Sequence, residues 1–178
     1  MVSLRITAGS LRGRRVPVPP RHARPTSERA RQAFFNIVGD RIRNAQFLDL
    51  FAGSGIFSFE AVSRGASSAT AVDSDRKSVA EIDRRAKEWS VPVTALAGDV
   101  IATMPRLTKR FDVVYADPPY DFPAYDALLQ ALDSATLAPE PMVAIEHRKR
   151  SNPFTVRTSR LRLERRAEYG EVWITFFA

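Results

Sequence analysis

Cysteine is absent from the 178 residues. Disulfides, cysteine-ligated zinc and every mechanism built on a thiolate nucleophile are thereby excluded. Histidine is scarce: His22 and His147 stand far apart, without partners at ligand spacing, so no metal site is expected. Long apolar runs are missing as well. Nothing approaches the roughly 18 uninterrupted apolar residues that a membrane helix needs. Met1 to Arg15 are too polar and basic for a signal peptide. These absences point to a cytoplasmic protein, and the length and the 44% hydrophobic content fit one ordinary core.

Acid is missing from the front of the chain. Arg5, Arg12, Arg14, Arg15, Arg21 and Arg24 all precede the first acidic residue, Glu28, and a second basic cluster runs His147-Arg148-Lys149-Arg150. The formal net charge is +7 and the isoelectric point about 10.3. Segregated cations favour a polyanionic partner, through neutralised phosphates and released counterions. Nucleic acid is the partner expected; a solvated basic surface that aids solubility is the plainer alternative.

Leu4 to Thr7 and Arg14 to Pro19 read as two short strands around a glycine-containing turn, a basic hairpin arm over residues 1–24. Pro25-Thr26-Ser27-Glu28 forms a helix start, and Ala30, Ala33, Phe34, Ile37 and Val38 keep helical spacing as far as Gly39. From Gln46 strands and helices alternate. Strands are expected at 47–50, 69–73, 93–96, 111–115 and 142–146, with helices to about Arg64, to about Trp89 and over Tyr125 to Ala135. This rhythm predicts a parallel sheet covered on both faces. Leu161 to Ala167 and Val172 to Phe177, joined tightly through Tyr169-Gly170, add an antiparallel hairpin. The expected fold is α/β and Rossmann-like, with a mostly parallel seven-stranded sheet in a single domain over 25–178.

Asp49-Leu50-Phe51-Ala52-Gly53-Ser54-Gly55 closes the first strand of the α/β part and opens a helix. Gly53 and Gly55 permit a tight turn close to a ligand. A dinucleotide site would want glycine or alanine where Ser58 stands, and Asp49 would repel a pyrophosphate at the turn. A cationic ligand suits the acid better. S-adenosylmethionine carries a sulfonium and an ammonium and no phosphate. Asp73, 18 residues past Gly55 at the end of the next strand, is placed to bind ribose hydroxyls. Asp99 and Val100, after the third strand, are placed near an adenine. Each aspartate alone also fits a helix cap or turn; three at strand ends would gather at one rim of the sheet.

After the fourth parallel strand comes Asp117-Pro118-Pro119-Tyr120. Proline has no N–H, and it pushes the residue before it into an extended conformation. The corner therefore presents acceptors. An exocyclic amine on a nucleobase donates two hydrogens and is a poor nucleophile. If the Asp117 carboxylate and the Pro118 carbonyl accept those hydrogens, the nitrogen turns its lone pair toward the sulfonium methyl. Tyr120 offers a face for an unstacked base. The plain alternative is a strand stop with Tyr120 in the core.

Together the runs Asp49 to Gly55, Ala71-Val72-Asp73-Ser74-Asp75 and Ala116 to Tyr120 resemble the class I S-adenosylmethionine-dependent methyltransferases that modify exocyclic amino groups. Arg5 to Pro19 and Arg24 to Gly39 resemble, more narrowly, the bacterial 16S rRNA guanine-N2 methyltransferases. The resemblance covers nearly the whole chain. It implies Asp49, Gly53, Gly55, Asp73, Asp99 and Val100 as cofactor contacts and Asp117, Pro118 and Tyr120 as the catalytic motif. The expected partner is 16S rRNA, within an assembling small ribosomal subunit, met by a monomer. Arg12, Arg14, Arg15, Arg24, Arg148 and Lys149 are expected on RNA by charge. The Asp-Pro-Pro-Tyr motif is shared with N6-adenine and N4-cytosine enzymes. A DNA N6-adenine methyltransferase, or a binding module with an inactive methyltransferase fold, thus remains open on sequence.

Overall fold

The computed structural model describes residues 2–18, 28–149 and 153–178. The helix start at Pro25 to Ser27, together with Arg24, His22 and Arg150, lies outside the described residues. In chain order the elements are β1 (Ser3–Arg5), β2 (Arg15–Pro17), α1 (Glu28–Val38), β3 (Gln46–Leu50), α2 (Ile56–Ser63), β4 (Ser68–Asp73) and α3 (Arg76–Trp89). They continue as β5 (Val93–Ala97), α4 (Val100–Thr103), β6 (Phe111–Ala116), α5 (Tyr125–Asp133), β7 (Leu137–Arg148), β8 (Leu163–Tyr169) and β9 (Val172–Phe177).

The seven-stranded sheet has the order β5-β4-β3-β6-β7-β9-β8. The first five of these strands pair in parallel, while β9 runs antiparallel to both β7 and β8. The closing hairpin therefore folds back so that its second strand pairs with β7 and its first forms the edge of the sheet. The chain leaves β3 toward β4 on one side and returns to β6 on the other. That reversal opens a crevice at the carboxyl ends of β3 and β6, the switch point where open α/β sheets bind ligands.

One core cluster packs α1, α2 and α3 onto one face of the sheet through Phe34, Phe47, Phe59, Ile82 and Phe176. A second, with Leu48, Val114, Leu128, Leu132 and Phe177, seats α5 on the other face. Phe34 is fully buried and touches the rings of Phe35, Phe57 and Tyr115.

The amino-terminal hairpin is a separate two-stranded sheet. It is docked rather than projecting, because Ile6, Leu11 and Val16 belong to the first core cluster. Ser10 N–H donates to the Ser63 carbonyl at 2.9 Å. Gly9 has φ +81°, and a Cβ there would lie 1.7 Å from that carbonyl oxygen, so no other residue fits. Glu60, fully buried, binds the hairpin to both neighbouring helices. It accepts from Thr7, from Arg31 Nε at 2.9 Å and from Arg64 Nη2 at 2.8 Å. Arg31 Nη2 in turn donates to the Arg5 carbonyl at 2.7 Å.

Three expectations need correcting. β7 begins at Leu137, not Met142, because Pro139 and Pro141 break the apolar pattern. The ladder accommodates them by a register shift opposite Phe111 and Val113. α5 stops at Asp133. The hairpin turn is displaced, with Tyr169 ending β8 and Leu161 buried ahead of it.

Candidate active site

β3 delivers Asp49 and the glycine turn to the crevice, and β6 delivers Asp117. Asp49 pairs in register with Tyr115, and Leu50 with Ala116. The two loops that follow are laced together: Asp117 N–H donates to the Leu50 carbonyl at 3.2 Å, and the rings of Phe51 and Phe122 meet edge to face at 5.2 Å.

The glycine turn is tightly wound. Phe51, Gly53 and Gly55 all have positive φ, which for Phe51, at +61°, is a sparsely populated conformation of the kind that collects at functional sites. A Cβ on Gly55 would come within 2.8 Å of the Ile82 side chain. α2 starts here without a side-chain cap from Gly55. Asp49 serves it instead: its Oδ2 accepts from Ser58 N at 3.0 Å and from Ser58 Oγ at 2.7 Å. The carboxylate thus takes a helix N-terminal N–H that a pyrophosphate would use. Asp73 Oδ2 accepts from Gly53 N at 2.7 Å and its Oδ1 from Asp75 N at 2.8 Å, fixing the turn against β4. Asp99 is exposed and caps α4 by accepting from Ala102 N at 2.9 Å, with Val100 buried behind it. Every one of these aspartates therefore also has the local structural task that sequence left as the plain alternative.

The electrostatics at this rim are acidic. Burial pushes the Asp49 carboxyl up to about 7, the Ser58 hydrogen bonds pull the other way, and Asp73 and Asp117 add to the rise. Burial, reinforced by Asp117, likewise pushes Glu146 up to about 8. Glu146 lies at the end of β7 and accepts from the Tyr115 hydroxyl at 2.5 Å. The acids of the glycine turn suit a sulfonium and an ammonium and offer a phosphate no cation, so the residues present fit S-adenosylmethionine.

At the Asp-Pro-Pro-Tyr corner, Asp117 is half-buried, Pro118 buried and Tyr120 exposed. The Pro119 carbonyl accepts from Phe122 N–H at 2.9 Å and closes a turn, a task that does not use the Pro118 carbonyl. With the Asp117 N–H spent on Leu50 and no N–H on either proline, residues 117–119 offer no further backbone donor.

The two basic clusters part company. Arg148, at the end of β7, sets its guanidinium 4.3 Å from the Tyr120 ring centroid and 3.9 Å from Asp121. Lys149 is spent in an ion pair with Glu168. In the hairpin, Arg12, Arg14 and Arg15 are exposed, but Arg14 lies 5.1 Å over Trp89, the last residue of α3, and the turn beside it docks on Ser63, the last of α2. Both helices run away from the crevice, α2 by ~12 Å, so the structure gathers Arg148 at the site and leaves these arginines toward the opposite edge. Glu146 and Tyr125 escaped sequence reasoning, Glu146 because its charge is embedded in an apolar strand. Among the described residues no group of three or more His, Cys, Asp or Glu could hold a metal ion. None of the described helices is long and apolar enough to cross a membrane.

A reversed last strand, a glycine turn with acids at the switch point and an acceptor corner opposite are the features of a class I S-adenosylmethionine-dependent methyltransferase. Residues 4–178 match the family described as Conserved hypothetical protein 95, and the chain belongs to that family. It is 33% identical over 146 residues to Ribosomal RNA small subunit methyltransferase D of Escherichia coli (strain K12), covering 80% of this chain and 74% of that protein. The solved structure of yhhF from Escherichia coli superposes with a TM-score of 0.86 at 28% identity, covering 99% of this chain and 97% of that one. An RNA methyltransferase from Salinibacter ruber, solved with S-adenosyl-L-homocysteine, shares the fold at a TM-score of 0.64 and 16% identity, covering 85% of this chain and 91% of that one.

Proposed function

We propose that the protein methylates the exocyclic N2 amine of a guanine in 16S rRNA of the small ribosomal subunit, working in the bacterial cytoplasm as a monomer. The observation that carries this reading is the acceptor corner of Asp117 and Pro118, laced to the glycine turn at the switch point. S-adenosylmethionine, when bound, supplies a methyl group on a sulfonium. Asp49, Gly53, Gly55, Asp73, Asp99 and Val100 would hold it, by the match of their positions to the family pattern.

The Asp117 carboxylate and the Pro118 carbonyl each accept one N2–H. Fixing both hydrogens draws the nitrogen lone pair out of conjugation with the ring and aims it across the crevice. The Asp117 carboxylate would stabilise positive charge developing on the nitrogen and would take the N2 proton that it already holds by a hydrogen bond. Tyr120 supports the base by its face. The choice of 16S rRNA rests on the likeness of the chain to the Escherichia coli small-subunit enzyme.

The test is transfer of labelled methyl to small-subunit particles lacking the modification, to naked 16S rRNA and to unmethylated DNA, with the product nucleoside identified by mass spectrometry. N2-methylguanosine in rRNA is the expected product. Label confined to DNA, or found on adenine N6, would overturn the assignment. Asp117→Ala should lower kcat by about a hundredfold or more while cofactor affinity changes less than about threefold; undiminished turnover would remove the acceptor argument.

A further inference from the structure

Beside the Asp-Pro-Pro-Tyr corner lies a second cavity, of about 300 Å³, walled by Tyr120, Phe122, Tyr125, His147, Arg148 and Pro153. Its walls include neither Asp117 nor Pro118, nor any residue of the glycine turn. The cavity thus adjoins the acceptor corner through Tyr120 without including its acceptors.

The cavity is equipped for a nucleoside. Four of its walls are aromatic, counting His147, and its volume is at the lower end of small-ligand pockets, about 300 to 1,000 Å³, room for a base. Arg148 is its cation. Burial, reinforced by Asp117 and Glu146, pushes the Tyr125 hydroxyl up to about 12, so it remains a proton donor throughout the neutral range. Asp126, which also lines the cavity, is committed to Thr155 and Val156 through its carboxylate. His147 is held on both ring nitrogens, by Thr175 Oγ1 at 2.7 Å and the Arg148 carbonyl at 3.0 Å. What the cavity offers a ligand is thus aromatic faces, the hydroxyls of Tyr120 and Tyr125 and one guanidinium, the complement of a base with its phosphate.

We propose that this cavity receives the base of a nucleotide adjacent to the methylated one, with Arg148 on one face of Tyr120 bracing the ring against the methylated base on the other and turning its charge to the connecting phosphate. The inference rests on the rRNA methyltransferase reading above. It makes Arg148 a positioning residue and the cavity a reader of the flanking sequence.

The experiment is a cycle of two changes, read as kcat/KM on substrate RNA: Arg148→Ala in the enzyme, and an abasic ribose in the RNA on the 5′ or the 3′ side of the methylated guanine. Loss of one stacked base should cost about tenfold. We expect the abasic change on one side to cause such a loss, Arg148→Ala to cause a comparable one, and the pair together little more than either. Arg148→Lys should recover only part, since it keeps the charge and loses the planar contact. Cofactor affinity of the Arg148 variants should match that of the parent enzyme. Multiplying losses, or indifference to both abasic positions, would overturn the inference while leaving the methyl-transfer reading intact. No transfer to the intact RNA would overturn both.

Discussion

Asp49 is asked to do two things at once: to hold the start of α2 through Ser58 and to present negative charge to a cation. Its pH behaviour follows. The carboxyl titrates near 7 in the fold against an ordinary value of 3.8, so the folded state favours the protonated form. The stability this gives is fully present below the unfolded value and is lost as pH rises through about 7. A cationic ligand favours the ionised form, so binding expels a proton wherever Asp49 carries one. Affinity for S-adenosylmethionine should therefore strengthen from about pH 5.5 to about pH 7.5, by up to about tenfold per unit, and level off above. Asp49→Asn should flatten that profile; calorimetric titration across the pH range reads it, and an unchanged slope in the variant would assign the proton elsewhere. At this scale the sequence disclosed the aspartates and the prolines, since a carboxylate or a missing N–H is a property of the residue alone. It could not disclose Glu146, whose position beside Asp117 depends on how β6 and β7 align, nor that Lys149 is neutralised by Glu168 on a strand far along the chain.

Between elements, the strongest polar joint is the one that Glu60 makes with Thr7, Arg31 and Arg64. Removing a single member of a buried ion pair strands the other's charge, at a cost of about 3 to 5 kcal/mol. Glu60→Ala should lower the unfolding free energy by about that amount. It should also release the hairpin first, read as early hydrogen exchange at Ile6 and Ser10; retained protection there would show that the apolar contacts of Ile6 and Val16 suffice. Periodicity made α1, α3 and the central strands legible, because their buried faces repeat at 3.6 or 2 residues. It failed where local chemistry interrupts the repeat, as at Pro139 and Pro141 in β7, and it could not say whether the hairpin projects or docks. Docking is decided by the bare Cα of Gly9 against Ser63, a contact between residues 54 positions apart.

Across the whole molecule, the two basic clusters counted as one signal in the sequence lie at different ends. Arg148 stands at the crevice, while the hairpin that carries Arg12, Arg14 and Arg15 docks at the far end of α2, with Arg14 over Trp89 at the end of α3. An RNA that touches both must run over the side of the domain. Charge reversal at Arg12, Arg14 and Arg15 should weaken particle binding and shallow its dependence on log salt by about 0.7 to 0.9 for each phosphate no longer neutralised, with kcat at saturating substrate preserved. Filter binding at several salt concentrations measures it, and an unaltered slope would remove the hairpin from the interface.

The bond from Asp117 N–H to the Leu50 carbonyl, with Phe51 against Phe122, has a dynamic corollary. Because the loop after β3 and the loop after β6 are joined by a hydrogen bond and a ring contact, a swing of either would carry its neighbour, which would fix their separation before a substrate arrives. On the proposed function, the adaptation that brings a base into place would then fall on the nucleic acid, which would leave its stack to meet two loops already joined.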